Sequence, residues 1–294
     1  MFASCDNSSN SDDESPSPSL PANVGENPIE KTIKLMEEDN KDYYLELRTD
    51  GTALYVDDDH DHEDGPVYKF KYTYNADAKK IYIQVEKAAF YNEFSYDDEP
   101  SSLMTYDEIV SQINKEYTLD NLKKVMEGAY KDKGDKFSSY EDFEKNWYEE
   151  DGFDSLKAWL EYFKQEEKDY YKSVFGIQVT YSYKIDGGKM VLTEKFTGVK
   201  NLFNSRCEYY DIASGTGCSI RSSRASFYEY NDGKWVYYYG TLDTDNNTIA
   251  FRNEDDGKTV PAKYTENISA ETVTVTFKDK DYVCKFEGVN FIQE

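Results

Sequence analysis

From Tyr43 onward the chain is governed by two-residue alternation, and that period commits most of it to β-strands. Tyr43, Leu45 and Leu47 alternate with Tyr44, Glu46 and Arg48 before Thr49-Asp50-Gly51 turns the chain into Thr52–Val56. Tyr68, Phe70, Tyr72 and Tyr74 alternate with Lys69, Lys71 and Thr73, giving one apolar and one wet face; Ile81, Ile83 and Val85 follow after Asn75-Ala76-Asp77. The pattern returns at Ile177, Val179, Tyr181 and Tyr183, which Asp186-Gly187-Gly188 turns into Met190–Phe196. Asp232-Gly233 sits between two aromatic runs, the favoured two-residue hairpin signature. Val273, Val275 and Phe277, then Tyr282, Cys284 and Phe286, close the pattern. Segments 43–85 and 226–251 share a weak internal similarity of strand, Asp-Gly turn, strand and Tyr-rich strand.

Residues 104–174 switch to a helical period. Thr105-Tyr106-Asp107-Glu108 matches a capping box, with Ile109, Ile113 and Tyr117 behind it. Ser138-Ser139-Tyr140-Glu141 is expected to open a second helix carrying Tyr140, Phe143 and Trp147. Asp154 is expected to cap a third, carrying Leu156, Trp159, Leu160 and Phe163. The fold class expected is α+β: an antiparallel barrel or meander with a helical insertion. The expected organisation is a tether over 1–30, a first β block over 31–103, the helical insertion over 104–174, and a second block over 175–294 completing the same β domain.

Composition narrows the functions. Asp and Glu number 59 against 34 Lys and Arg, a net charge of −25, which argues against nucleic-acid partners, whose phosphates need clustered cations. Twenty-eight tyrosines and sixteen phenylalanines separate the chain from disordered acidic sequences. Residues 6–28 are the exception, a Ser/Asn/Asp/Pro run with little to bury.

Phe2-Ala3-Ser4-Cys5 resembles the last four positions of a bacterial lipoprotein signal, where two small residues precede the cysteine that becomes lipidated. The resemblance implies lipidation of Cys5 and a membrane partner through that anchor, with the protein periplasmic or surface-exposed on a bacterial cell envelope. Strand segments 43–56, 67–86 and 226–251 resemble the lipocalin-like barrels of bacterial envelope lipoproteins. That resemblance implies a binding scaffold. The Gly-x-Trp motif usual near the first strand of lipocalins does not occur near the first strands of this chain.

Templates for chemistry are sparse. No GxSxG elbow, P-loop, HExxH or GxGxxG occurs. Ser214-Gly215-Thr216-Gly217-Cys218 is glycine-rich but lacks a lysine, and reads as an ordinary loop. Asp59, His60, Asp61 and His62 carry the donor types for a divalent metal, in a run that also reads as a solvated loop; no other cofactor is indicated. Asp243–Thr248 starts like a calcium loop, but Thr248 stands where glycine is needed. Cys207 and Cys218 bracket a turn and could form a disulfide, leaving Cys284 as a buried small hydrophobe. Tyr237-Tyr238-Tyr239 beside Trp235 reads as strand core, with a ligand cavity or a partner-facing surface as the functional alternatives. The expectation is a non-enzymatic envelope lipoprotein whose β domain binds a protein, a glycan or a small apolar ligand. The alternatives are a structural surface lipoprotein and a carboxylate-dependent hydrolase.

Overall fold

The computed structural model describes residues 19–57, 65–91, 102–133, 136–149, 152–221 and 224–294. Its strands are, in chain order, β1 (Ile33–Glu37), β2 (Tyr43–Leu47), β3 (Thr52–Asp57), β4 (Gly65–Asn75), β5 (Lys80–Ala88), β6 (Gln178–Asp186), β7 (Lys189–Lys195), β8 (Arg206–Asp211), β9 (Thr216–Arg221), β10 (Arg224–Asn231), β11 (Lys234–Asp243), β12 (Thr248–Asn253), β13 (Thr259–Asn267), β14 (Thr272–Phe277), β15 (Lys280–Glu287) and β16 (Asn290–Gln293). Between β5 and β6 stand α1 (Tyr106–Glu116), α2 (Leu119–Lys133), α3 (Tyr140–Glu149) and α4 (Leu156–Gly176). No helix among the described residues is long and apolar enough to cross a membrane.

The strands close into two antiparallel eight-stranded barrels. The first uses β1–β7 and is completed by β16, which pairs with both β7 and β1. The second is an uninterrupted meander, β8–β15, closed by pairing of β15 with β8. The fold class is therefore α+β, as expected, and of the barrel and the meander that the alternation leaves open, the strands form closed barrels. The expectation that 175–294 completes a single β domain is corrected: only β6, β7 and β16 do so, while the strands over 206–287 form a barrel of their own. The reason is physical. Hairpins are written locally, but closure depends on pairs far apart in sequence, such as Leu35 opposite Gln293, and a steady meander does not mark them.

Side chains fill both interiors. In the first barrel Leu35, Leu45, Leu47, Phe70, Ile81, Tyr181 and Phe291 are buried in one cluster. In the second, Phe277 packs at 4.8 Å from both Phe227 and Phe251, and Tyr282 lies 5.0 Å from Phe227. These are packed cores of the kind small barrels make, with aromatic pairs at their preferred separations.

The helices lie against β5 of the first barrel. Tyr171 of α4 donates its hydroxyl to the Ala89 carbonyl at 3.2 Å, and Phe175 meets Tyr106 edge-on at 5.8 Å. The Thr105 capping box forms as the sequence indicates. Within the Ser138–Glu141 segment Ser139 accepts from Asp142 N–H, and one cap shifts by a residue: Ser155, not Asp154, accepts from Ala158 N–H. α2 was not expected from the sequence. It starts two residues after α1 ends, so the two periods run together.

The barrels are tied through two connections, residues 196–205 and 288–289. Glu194, near the end of β7, is 3% exposed and grips both. Its carboxylate accepts from Ser205 Oγ at 2.5 Å and from Val289 N–H at 3.3 Å. Burial pushes its pKa up to about 7, with the charge of Glu37 adding to the shift. Phe203 of the first connection packs among Tyr55, Tyr68 and Phe70 at 5.1–5.5 Å, and Asn204 donates to the Tyr55 hydroxyl. From the other side, Glu266 of β13 accepts from Val199 N–H at 2.9 Å.

Candidate binding face

Strand parity splits the aromatic run of β11. Tyr238 points inward and is buried against Phe227 and Phe277. Its neighbours point out: Trp235, Tyr237 and Tyr239 are 43%, 40% and 57% exposed. The adjacent strands add Tyr230 at 49% and Tyr210 at 58%. Tyr228, half-buried, lies between them. The reading of 237–239 as core therefore holds only for Tyr238.

Register assembles these rings into one surface. Tyr210 of β8 stands opposite Gly217 of β9, Gly217 opposite Tyr228 of β10, and Tyr228 opposite Tyr237 of β11. Ring centroids step 6.2 Å from Tyr210 to Tyr228 and 6.2 Å again to Tyr237. One row along, Tyr230 is opposite Trp235, whose ring lies 5.2 Å from Tyr230 and 6.4 Å from Tyr237.

Two glycines make this packing geometrically available. A Cβ on Gly217 would stand 2.2 Å from Cζ of Tyr228, so the Tyr228 ring occupies the space a side chain would need. Gly215, with φ +62°, turns the chain beneath Tyr230 and Trp235; a Cβ there would lie 3.0 Å from Tyr230 Cβ. The preceding turn is held by Asp211, which accepts from Ala213 N–H and Ser214 Oγ. The glycine-rich segment, read from sequence as an ordinary loop, is divided: Ser214 and Gly215 lie in the hairpin turn, while Thr216, Gly217 and Cys218 open β9, and the two glycines form the floor of the aromatic face. The available signal was the spacing of Gly215 and Gly217 one strand away from an alternating Tyr/Trp run.

Charge changes along the same face. Of the five arginines in the chain, four fall on the second barrel: Arg206, Arg221, Arg224 and Arg252. Arg221 is opposite Arg224, and Arg252 is opposite Tyr239. Arg206 is engaged by Glu208 at 2.8 Å and Glu287 at 3.1 Å. Arg221, Arg224 and Arg252 are exposed and have no ion-pair partner among the described residues. On strands of a chain with net charge −25, these three guanidinium groups are a local concentration of positive charge, beside the Arg206 pairs with Glu208 and Glu287.

The residues singled out for other chemistry fare differently. Cys5 and the cluster Asp59, His60, Asp61 and His62 lie outside the described residues. Among the described residues no group of three His, Cys, Asp or Glu could hold a metal. Cys207, Cys218 and Cys284 are free, buried thiols. Register sets Cys207 opposite Ile220 and Cys218 opposite Tyr209, and the Cys218 thiol lies against Cys284. Contact with Cys284, then burial, holds the Cys218 thiol well above its ordinary value, and burial pushes Cys207 up to about 12. Such thiols are poor nucleophiles. Asp243 serves its hairpin turn, accepting from the N–H groups of Asp245 and Asn246 and from the Asn246 amide. Cavities of about 550, 350 and 310 Å³ lie along the helices, lined largely by Lys, Asp, Glu, Ser and Gln.

Comparison with protein-family models, curated proteins and solved structures finds no match to this chain.

Proposed function

We propose that this chain is a non-catalytic binding protein, held at a bacterial cell envelope by lipid on Cys5. Its lipocalin-like barrels act as a scaffold, and it grips its partner on the outer face of β8–β11. The observation that carries this reading is the contiguous set of outward rings Tyr210, Tyr228, Tyr230, Trp235 and Tyr237, with Tyr239 exposed further along β11. Large apolar patches left in water mark interaction surfaces, and Tyr, Trp and Arg are the residue types that dominate binding energetics. The packed barrel interiors favour a surface partner over an enclosed ligand.

The test is co-sedimentation of the full chain with envelopes of its source bacterium, using Cys5→Ser to remove capture by lipid. Replacing Tyr228, Trp235 and Tyr237 together by Ser should weaken capture at least tenfold while far-ultraviolet circular dichroism is unchanged. Undiminished capture by the triple variant contradicts the reading. The anchor is tested separately, by incorporation of labelled fatty acid into the Cys5 chain and not into Cys5→Ser.

A further inference from the structure

We infer that the partner of this face is an acidic polysaccharide, its sugar rings lying on the aromatic row and its carboxylates meeting the arginine row. This rests on the face being the binding surface and adds the class of partner.

Shape comes first. The Tyr210–Tyr228–Tyr237 row crosses the strands at even 6.2 Å steps, its rings turned 49° and 40° from one another, with Trp235 tilted 30° from Tyr237. A pyranose presents a face of C–H groups that packs on such rings, and a polysaccharide repeats that face along its length. Because Tyr228 occupies the space above Gly217, its position is set before any partner arrives, which reduces the entropy lost on binding. The hydroxyls of Tyr210, Tyr228, Tyr230, Tyr237 and Tyr239 and the indole N–H of Trp235 have no partner among the described residues. They are therefore available to sugar hydroxyls.

Charge then selects within the class. Arg224 lies four residues before Tyr228 on the same strand, a rise of about 13 Å, which a few linked sugars span. Between them stand Ser219 and Ser226, opposite one another, and at the β8 end of that row Glu208, which is held by Arg206 at 2.8 Å and accepts from Ser219 Oγ. Guanidinium groups bind carboxylates in a planar two-bonded fork. With the rest of the molecule strongly acidic, the complementary partner carries its charges sparsely, one carboxylate among several rings, rather than as a dense polyanion.

The experiment titrates the full Cys5→Ser chain with hyaluronan oligosaccharides and with the same oligosaccharides after carboxyl reduction. The expected result is binding of the native oligosaccharides, weakened at least tenfold by carboxyl reduction and by raised salt. Arg221→Gln/Arg224→Gln should weaken binding of the native probe similarly and abolish the difference between the two probes. Tyr228→Ser/Trp235→Ser should weaken both. Failure to bind either probe, or equal binding of the two, overturns the inference. If envelope capture still depends on Tyr228, Trp235 and Tyr237 while both probes fail, the face binds something else, and capture abolished by protease treatment of the envelopes identifies that partner as protein. If capture is also insensitive to those residues, the binding reading fails with it.

Discussion

The two barrels share a strand grammar and differ in what covers them. The first carries a helical insertion on its outer surface at β5, where Tyr171 and Phe175 of α4 are buried. The second has no insertion longer than a turn among its strands, and its outward rings stay in water. Alternation therefore makes both barrels, but it does not say which outward faces are covered. The same Tyr-rich strand can be a docking site for the molecule's own helices or a surface open to a partner.

The largest effect should come from deleting residues 290–294. This removes β16 and leaves β1 and β7 as unpaired edges, so the first barrel should lose cooperative unfolding and amide protection. The second, whose closure needs only β8 and β15, should keep its protection. Hydrogen exchange measured by mass spectrometry reads both, and simultaneous loss of protection would show that the barrels do not stand apart.

Core truncation comes next. Phe277→Ala and Phe70→Ala remove fully buried rings from the second and first barrel. Each should cost about 3–5 kcal/mol in denaturant unfolding. A Phe277→Ala transition confined to exchange in β8–β15 would sharpen the division; uniform loosening of both barrels would blur it.

The joint between them should respond to pH. The native pKa of Glu194 is about 7 against an ordinary 4.5, so the folded state holds a proton that the unfolded state releases between those values. Its contribution is fully present below the unfolded value and is lost as pH rises through 7, about 3 kcal/mol in all. Glu194→Gln should flatten this part of the stability–pH curve. An unchanged slope in the variant would show that the group does not titrate there.

The smallest effect should come from Gly217→Ala. Tyr228 must lift to admit the new Cβ. The expected cost is about 1–3 kcal/mol, with no change in the first barrel's exchange. A cost near zero would mean that Tyr228 does not rest on Gly217.

These particulars show what could be seen in the sequence. Strands, Asp-Gly turns and the Thr105 cap are local, and they were legible: Asp232 and Gly233 take φ +50° and +85°, as the hairpin signature requires. The division into two barrels was not, because pairing of Phe286 with Cys207 is decided by long-range packing. The candidate face was half legible. Parity puts Tyr237 and Tyr239 on one side and Tyr238 on the other. Which side faces water is settled by Phe227 and Phe277, the latter from a distant strand, that bury Tyr238. The arginines carried no pattern until register set Arg221 beside Arg224 and Arg252 beside Tyr239.

The most direct measurement uses Trp235 as its own reporter. The chain has three tryptophans, and Trp147→Phe/Trp159→Phe leaves Trp235 alone. Acrylamide should quench this residue freely in the isolated protein, and addition of envelopes should protect it in proportion to the amount captured. A Trp235 that is shielded before any partner is added, or that stays equally open when the protein is fully captured, would contradict the assignment of this face as the binding surface.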